Sequence, residues 1–411
     1  MRGSSFLIAM LIGCAAGFAE LGDTLAPALD HPAIGYFNYL DHPPKDAVSK
    51  LNRKIELGTA ELKFEKGSGY LRSVLESLQV PIESQIAVFS KTSLQFPLIE
   101  PNNPRTIFFN DAVAVAWMRG GFIELAAQDP EQGVVFHVLE QRPVEKPEFV
   151  LRNDCNRCHI SDASLGVPGM MVRSRFPAPD GMPKLILGGY TTDHRSPFTE
   201  RWGGWYVTGN LGSIDHMGNK IYTSDDRAER VPVHIGDGYL ARYSDIAALL
   251  VFDHQMHMSN LLTRIGWEAR AGLFDKRRDL TTKLRDAARE LVDYMLFVDE
   301  APLPGKIQST SGFTERFGAL GPRDSRGRSL RQLDLNRRLM RYPCSYMIYT
   351  EAFDSLPVEA RSEIYKRLWQ VLSGELKGPK YSPLSLADKQ AIIEILRETK
   401  KGLPDYFQAR L

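Results

Sequence analysis

Short, largely apolar runs mark the first third of the chain. They fall at 85–89, 106–109, 112–117, 122–126 and 134–139. Their length of four to six residues and their position between turn signals predict strands. Phe109-Asn110-Asp111, Gly120-Gly121 and Asp129-Pro130 separate the runs as turns, so consecutive strands are expected to form a β-meander. Ahead of the strands, 44–55 and 70–78 have helical spacing.

Past residue 243 a helical spacing appears. Ile246, Leu249, Leu250, Met256, Leu261, Leu262 and Ile265 predict a long helix, with Ser244 as its N-cap ahead of Asp245. Further helices are expected at 279–298, 330–342, 358–372 and 386–399, the last opened by a Ser385/Asp388 capping box. Between these halves, 153–243 is rich in glycine and proline with little periodicity. The expectation is an α+β chain: a strand-rich N-terminal region at 20–152, a loop-rich region at 153–243 and a helical C-terminal region at 244–411.

Composition changes this picture little. The 51 basic and 50 acidic residues give a net charge of +1, so nothing argues for nucleic acid or another polyanionic partner. No apolar run is long enough to span a bilayer. Residues 1–19 read as an export signal, with Arg2 before the apolar stretch 6–13 and small residues after it. Gly17-Phe18-Ala19 fits ordinary signal cleavage. Leu11-Ile12-Gly13-Cys14 fits lipoprotein processing, in which an acyl chain on Cys14 would anchor the protein without spanning the membrane. Both routes stay open, and both place the mature protein in the periplasm or otherwise outside the cytoplasm.

The chemistry concentrates at Cys155-Asn156-Arg157-Cys158-His159. This is a Cys-x-x-Cys-His run, the attachment motif of a c-type haem. Two thiols at this spacing can each add to one vinyl group of one porphyrin, and the adjacent imidazole binds the iron from the proximal side. With 4 cysteines and 9 histidines in the chain, chance would produce the run about once in a thousand such sequences. A structural zinc site would require a second ligand pair of similar spacing. The expected cofactor is therefore one covalent haem c on Cys155 and Cys158, with His159 as proximal ligand. Cys344 is left alone and reads as a buried apolar residue.

The chain resembles c-type cytochromes, and more narrowly large bacterial proteins that carry one such motif. Besides the motif, the resemblance rests on 88–95, on 192–197 (Thr-Asp-His-Arg-Ser-Pro), on 202–209 (Trp-Gly-Gly-Trp-Tyr-Val-Thr-Gly), on 253–258 and on 341–344. It implies covalent haem and single-electron exchange with a redox partner protein. A small soluble cytochrome c carries its motif near the start of the chain, whereas here a long strand-rich region precedes it.

The opposite face of the iron decides between electron transfer and catalysis. His216 or Met217 lies far enough along the chain to pass round a porphyrin. Met256 or His257 is the rival, in a cluster where His254 and His257, and His254 and Met258, share a helix face. Met170 and Met171 follow His159 so closely that they are expected at the ring edge, as is Met182. His194 and Arg195 are polar candidates for polarising a bound ligand. Trp202, Trp205 and Tyr206 are candidates to wall the pocket. The arginine-rich stretch 323–341 reads as a solvated face paired with Asp324 and Asp334. Two alternatives to electron transfer remain: a peroxidase- or oxygenase-like haem enzyme with an open distal site, and a haem-bearing sensor or binding module.

Overall fold

A computed structural model describes residues 42–409. The export segment and Cys14 lie outside them. Two helices open the described chain, α1 (Ala47–Glu56) and α2 (Leu71–Ser77). Asp46 caps α1 by accepting hydrogen bonds from the amides of Val48 and Ser49.

The meander follows as β1 (Ile86–Val88), β2 (Arg105–Phe109), β3 (Val113–Trp117), β4 (Ile123–Asp129), β5 (Gly133–Leu139) and β6 (Val150–Leu151). All five expected strands are present. A hairpin of β7 (Val172–Arg175) and β8 (Gly189–Thr192) comes next, then β9 (Trp205–Tyr206) and a second small hairpin of β10 (Lys220–Tyr222) and β11 (Ala228–Arg230). β9 returns to the meander and pairs with β1, giving a seven-stranded antiparallel sheet in the order β6-β5-β4-β3-β2-β1-β9.

The sheet divides the interior. Phe108, Val113, Val115, Trp117, Ile123 and Leu125 face α1 and α2. Ile86, Val88, Ile107, Phe109, Ala114 and Ala116 face the other way, into a core shared with the C-terminal helices. The alternation within β2 and β3 assigns successive side chains to opposite cores.

That second core is organised by α4 (Ile246–Phe274), a 29-residue helix buried on most sides. A helix wrapped by neighbours needs no polar stripe. Around it lie α5 (Leu280–Met295), α6 (Phe313–Ala319), α7 (Glu351–Asp354), α8 (Val358–Leu372) and α9 (Leu386–Thr399). The fold is α+β, strand-rich in its N-terminal half and helical in its C-terminal half. No helix among the described residues is long and apolar enough to cross a membrane.

Three local expectations are corrected. Asp245, not Ser244, caps α4 and accepts from the amides of Ala247 and Ala248. Ser244 instead ties α4 to the sheet, its Oγ accepting from the Ala87 amide at 2.9 Å. The segment 330–342 is not helical. Its Asp334 carboxylate accepts from the amides of Asn336 and Arg337, and the Asp334 amide donates to the Leu339 carbonyl, closing a loop. Local side-chain bonds of this kind compete with helix. Helix α6 was not expected, since its seven residues hold only two buried phenylalanines, too few for a periodic signal. The last capping box, Ser385 with Asp388, forms as expected.

Candidate functional site

Strand β6 feeds a 3-10 turn at Asn153–Cys155 and then a one-turn helix, α3 (Asn156–His159). The Arg152 amide donates to the Phe136 carbonyl at 2.8 Å, hooking this segment to β5. Arg152 and Asp154 form a two-pronged pair at 2.8 and 2.7 Å. Ile160, 3% exposed, pins the end of the turn in the interior. The Cys-x-x-Cys-His run thus sits on a short helical knuckle, with Cys155 half-buried and Cys158 exposed, both free thiols.

His159 is held more closely than a surface histidine would be. Its Nδ1 donates to the Gly169 carbonyl at 2.9 Å, and the Gly169 amide donates back to the His159 carbonyl at 3.0 Å. The His159 carbonyl also accepts from Ser164 Oγ at 3.0 Å. With Nδ1 carrying its proton, Nε2 is left as the lone-pair nitrogen, the form that binds a metal. The ring lies 4.5 Å from the Phe136 ring on β5. Desolvation, reinforced by the charges of Arg173 and Arg105, lowers the His159 pKa to about 4, so the ring is neutral at pH 7. Burial chiefly, with Asp154, pushes the Cys155 thiol up to about 11.

The loop that receives Nδ1–H is itself clamped from two sides. The Val134 amide of β5 donates to the Pro168 carbonyl at 2.9 Å. From α4, Asn260 Oδ1 accepts from the Met170 amide at 3.1 Å and its Nδ2 donates to the Met170 carbonyl at 2.7 Å. Gly169 is required between them, because a Cβ there would lie 2.2 Å from Asn260 Oδ1.

Cys155, Cys158 and His159 line one cavity of about 200 Å³ that opens to solvent. Its floor is one face of the sheet. Ala114 and Ala116 of β3 and Ala126 of β4 sit side by side there, because Ala114 pairs with Ala126 and Ala116 with Glu124. Small side chains at adjacent same-face positions leave the hollow. Ile107, Phe136, Val138 and Val88 border it from the sheet, Trp205 from β9 and Phe252 from α4. Thr92, Ser93 and Leu94 close one side.

Charge enters the cavity on two arginines. Arg105 on β2 meets Glu124 on β4 at 2.6 Å, with side chains only 19 and 14% exposed. Gln95 Nε2 also donates to Glu124 at 3.1 Å. Arg105 Nε is buried without a hydrogen-bond partner among the described residues. Arg173 on β7 is the second arginine of the lining and has no carboxylate partner among the described residues. This mostly apolar lining thus includes two arginines, one carboxylate, the histidines His137 and His159 and two thiols, and the thiols with His159 are the groups that would hold a covalent porphyrin. Among the described residues, no group of three or more His, Cys, Asp or Glu side chains could hold a bare metal ion.

The distal candidates lie elsewhere. None of His216, Met217, Met256 and His257 is among the residues lining the cavity. His216 is buried edge-on to Trp202, with its Nδ1 accepting from the Gly218 amide at 3.0 Å. Met217 accepts from Ser174 Oγ at 3.5 Å. Met256 is packed in the helical core. His257 contacts Arg195 at 3.2 Å and lies 3.9 Å from Asp193.

His194 and His254 pair through their Nδ1 atoms at 2.8 Å, and His254 Nε2 meets Ser345 Oγ at 2.8 Å. Tyr294 and Phe297 stack on both rings. They are interior histidines, away from the cavity lining. Met170 and Met171, expected only at a ring edge, do line the cavity. Of the aromatic trio Trp205 lines it, while Trp202 donates to Asp253 and Tyr206 to the Pro101 carbonyl. Met182 lies on an exposed loop.

The arginine stretch is paired, Arg328 with Asp324 and Glu394, Arg338 with Asp388 and Arg337 with Asp334. Cys344 is fully buried. Arg105, Glu124, Arg173, Phe136 and Phe252 were not singled out from sequence. The signal that could have found the floor is the set of alanines at period two in 113–117, together with Ala126 in the next strand.

Comparison with known protein families, curated proteins and solved structures finds no match.

Proposed function

We propose that this chain is an exported protein carrying one covalent haem c, which it uses to pass single electrons to and from a redox partner protein. The observation that carries the reading is His159. Its Nδ1–H is fixed on a backbone carbonyl, and it shares one apolar, alanine-floored cavity with both cysteines of the motif. When bound, haem supplies the one-electron iron couple.

The residues have separate tasks. Cys155 and Cys158 would hold the ring by thioethers. His159 Nε2 would ligate the iron, and the Gly169 carbonyl makes that nitrogen more basic by accepting a hydrogen bond from Nδ1–H. Arg105 and Arg173 would meet the propionates. Ile107, Phe136, Val138 and Phe252 exclude water, which together with ligation sets the potential.

The test is expression of the full chain alongside a haem-attachment system, followed by haem staining of a denaturing gel. The native chain is expected to stain. Cys155→Ala/Cys158→Ala is expected to stain no more, and His159→Ala to shift the haem spectrum and potential. An unstained native chain, or a His159→Ala spectrum and potential identical to the native ones, would overturn the assignment.

A second reading has its own observation. The Arg105–Glu124 pair inside the cavity is polar equipment that a purely electron-transferring site does not require. It would serve ligand binding or peroxide chemistry if the iron's sixth position were open. Carbon monoxide separates the two, since a reduced protein that takes it up readily has an open sixth position.

A further inference from the structure

The two most exposed large apolar side chains among the described residues are neighbours. Leu185 is 83% and Ile186 91% exposed, at the tip of the hairpin between β7 and β8. Met182 and Tyr190, 44 and 37% exposed, flank them. Isolated surface leucines are ordinary, but an adjacent, projecting pair is not.

The tip is held rigidly. The Leu187 amide donates to the Lys184 carbonyl at 3.0 Å, and the Gly188 amide to the Leu185 carbonyl at 2.9 Å, forming one 3-10 turn. The Lys184 amide donates to the Phe176 carbonyl at 2.8 Å, and its ammonium bonds the Asp226 carboxylate and the Thr223 carbonyl. The exposure is therefore built in by these bonds, and seating the tip costs little conformational entropy.

A cation stands beside it. Arg175, at the end of β7 next to the hairpin loop, has no carboxylate partner among the described residues. Arg175 donates to the Ser174 and Tyr190 carbonyls at 3.4 Å each. Its guanidinium lies over Gly189, where a Cβ would come within 2.3 Å of Nη1. Arg175 thus lies against the base of the apolar tip.

We propose that this hairpin seats the protein on an anionic lipid surface, with Leu185 and Ile186 entering the acyl boundary and Arg175 meeting lipid phosphates. Projecting aliphatics beside a cation that no carboxylate neutralises are a combination that binds such surfaces. A protein partner would have to offer a pocket shaped to a protruding two-residue tip. A bilayer needs no such complementarity. The proposal does not depend on the haem assignment.

The test uses the full chain carrying Cys14→Ser, so that no acyl chain contributes, and vesicles of phosphatidylethanolamine with or without phosphatidylglycerol. Co-sedimentation is expected with the anionic vesicles and to weaken in high salt. Leu185→Ser/Ile186→Ser is expected to weaken it by about tenfold or more, on the transfer cost of two aliphatic side chains. Arg175→Gln is expected to weaken it about fivefold. Ile186→Trp should show a blue-shifted emission on adding the same vesicles.

Absence of binding by the parent chain, or equal binding by the double serine variant, overturns the proposal. So does a parent chain that stays off vesicles but self-associates in sedimentation velocity and becomes monomeric on Leu185→Ser/Ile186→Ser. That result would assign the tip to a contact between two copies.

Discussion

The clamp between Gly169 and Asn260 makes a quantitative prediction. Asn260, 1% exposed, gives two hydrogen bonds to the Met170 backbone, at 3.1 and 2.7 Å. Asn260→Ala strands a half-buried amide and a half-buried carbonyl of Met170, each at a cost of up to about 1–3 kcal/mol, so at most about 2–6 kcal/mol in all. Gly169→Ala forces a Cβ to within 2.2 Å of Asn260 Oδ1 and 3.1 Å of the Ser164 Cβ. Overpacking of this kind costs about 1–3 kcal/mol. The larger overlap is with the atom that Asn260→Ala removes.

The double variant should therefore be less destabilised than the sum of the two singles, by at least about 1 kcal/mol. Urea unfolding of all four proteins measures this, provided the slope with denaturant is unchanged across the set. Additivity to within about 0.5 kcal/mol would refute the clamp, because residues that share no contact behave that way.

Acid should destabilise the fold steeply. Burial holds His216 and His257 at about 4 and His254 at about 3, below their ordinary value. Each is protonated in the unfolded chain below about 6.5 but stays neutral when folded, so stability falls as pH drops from there toward the folded values, by about 1.4 kcal/mol per pH unit per histidine. His216→Asn, whose Oδ1 can still accept from the Gly218 amide, should flatten the dependence of the urea midpoint between pH 6 and 4.5; an unchanged slope would contradict it. Asp253 opposes this trend, because burial raises it to about 6, so its share of stability falls as pH rises through 4–6. Asp253→Asn should accordingly steepen the acid loss in the same titration. Ala116→Leu fills the cavity floor and should remove most haem stain on co-expression while shifting the melting temperature by only a few degrees; normal haem content would show that the porphyrin does not lie there.

The strands were legible because each is a short apolar run bounded by turn residues, and helices α8 and α9 because their apolar spacing is uninterrupted. The one-turn helix α3 left no periodic signal at four residues. The site was legible only where the chemistry is local: two thiols and an imidazole within five residues. What lies opposite them is brought in by β2 to β5 and by α4, contacts of long sequence separation. His216 and His257 have chemistry suited to ligation, yet a histidine can be satisfied by an interior amide or an arginine, as these are. Arg105 and Glu124 looked like ordinary strand residues until register put them on one face. The half-buried positions of β4 at 124, 126 and 128 mark that face.

At 411 residues the chain is far longer than one electron-transferring haem needs, and size by itself favours catalysis. The structure weakens that reason without touching the one supplied by Arg105 and Glu124. The helical half is tied into the site. Asn260 on α4 positions the Gly169 carbonyl that orients His159, and Phe252, two turns earlier on the same helix, lines the cavity. The meander supplies the floor, and β9, from the loop-rich region, closes the sheet and contributes Trp205. A knuckle of four residues cannot fix an imidazole by itself, so the orientation of His159 draws on β5, through Val134 and Phe136, and on α4, through Asn260. Much of the chain's size is thus used in construction, and the case for catalysis narrows to whether the Arg105–Glu124 pair meets a propionate or a bound ligand. Arg105→Gln addresses it: propionate contact predicts a shifted potential with unaltered carbon monoxide binding, whereas contact with a bound ligand predicts a changed affinity for it.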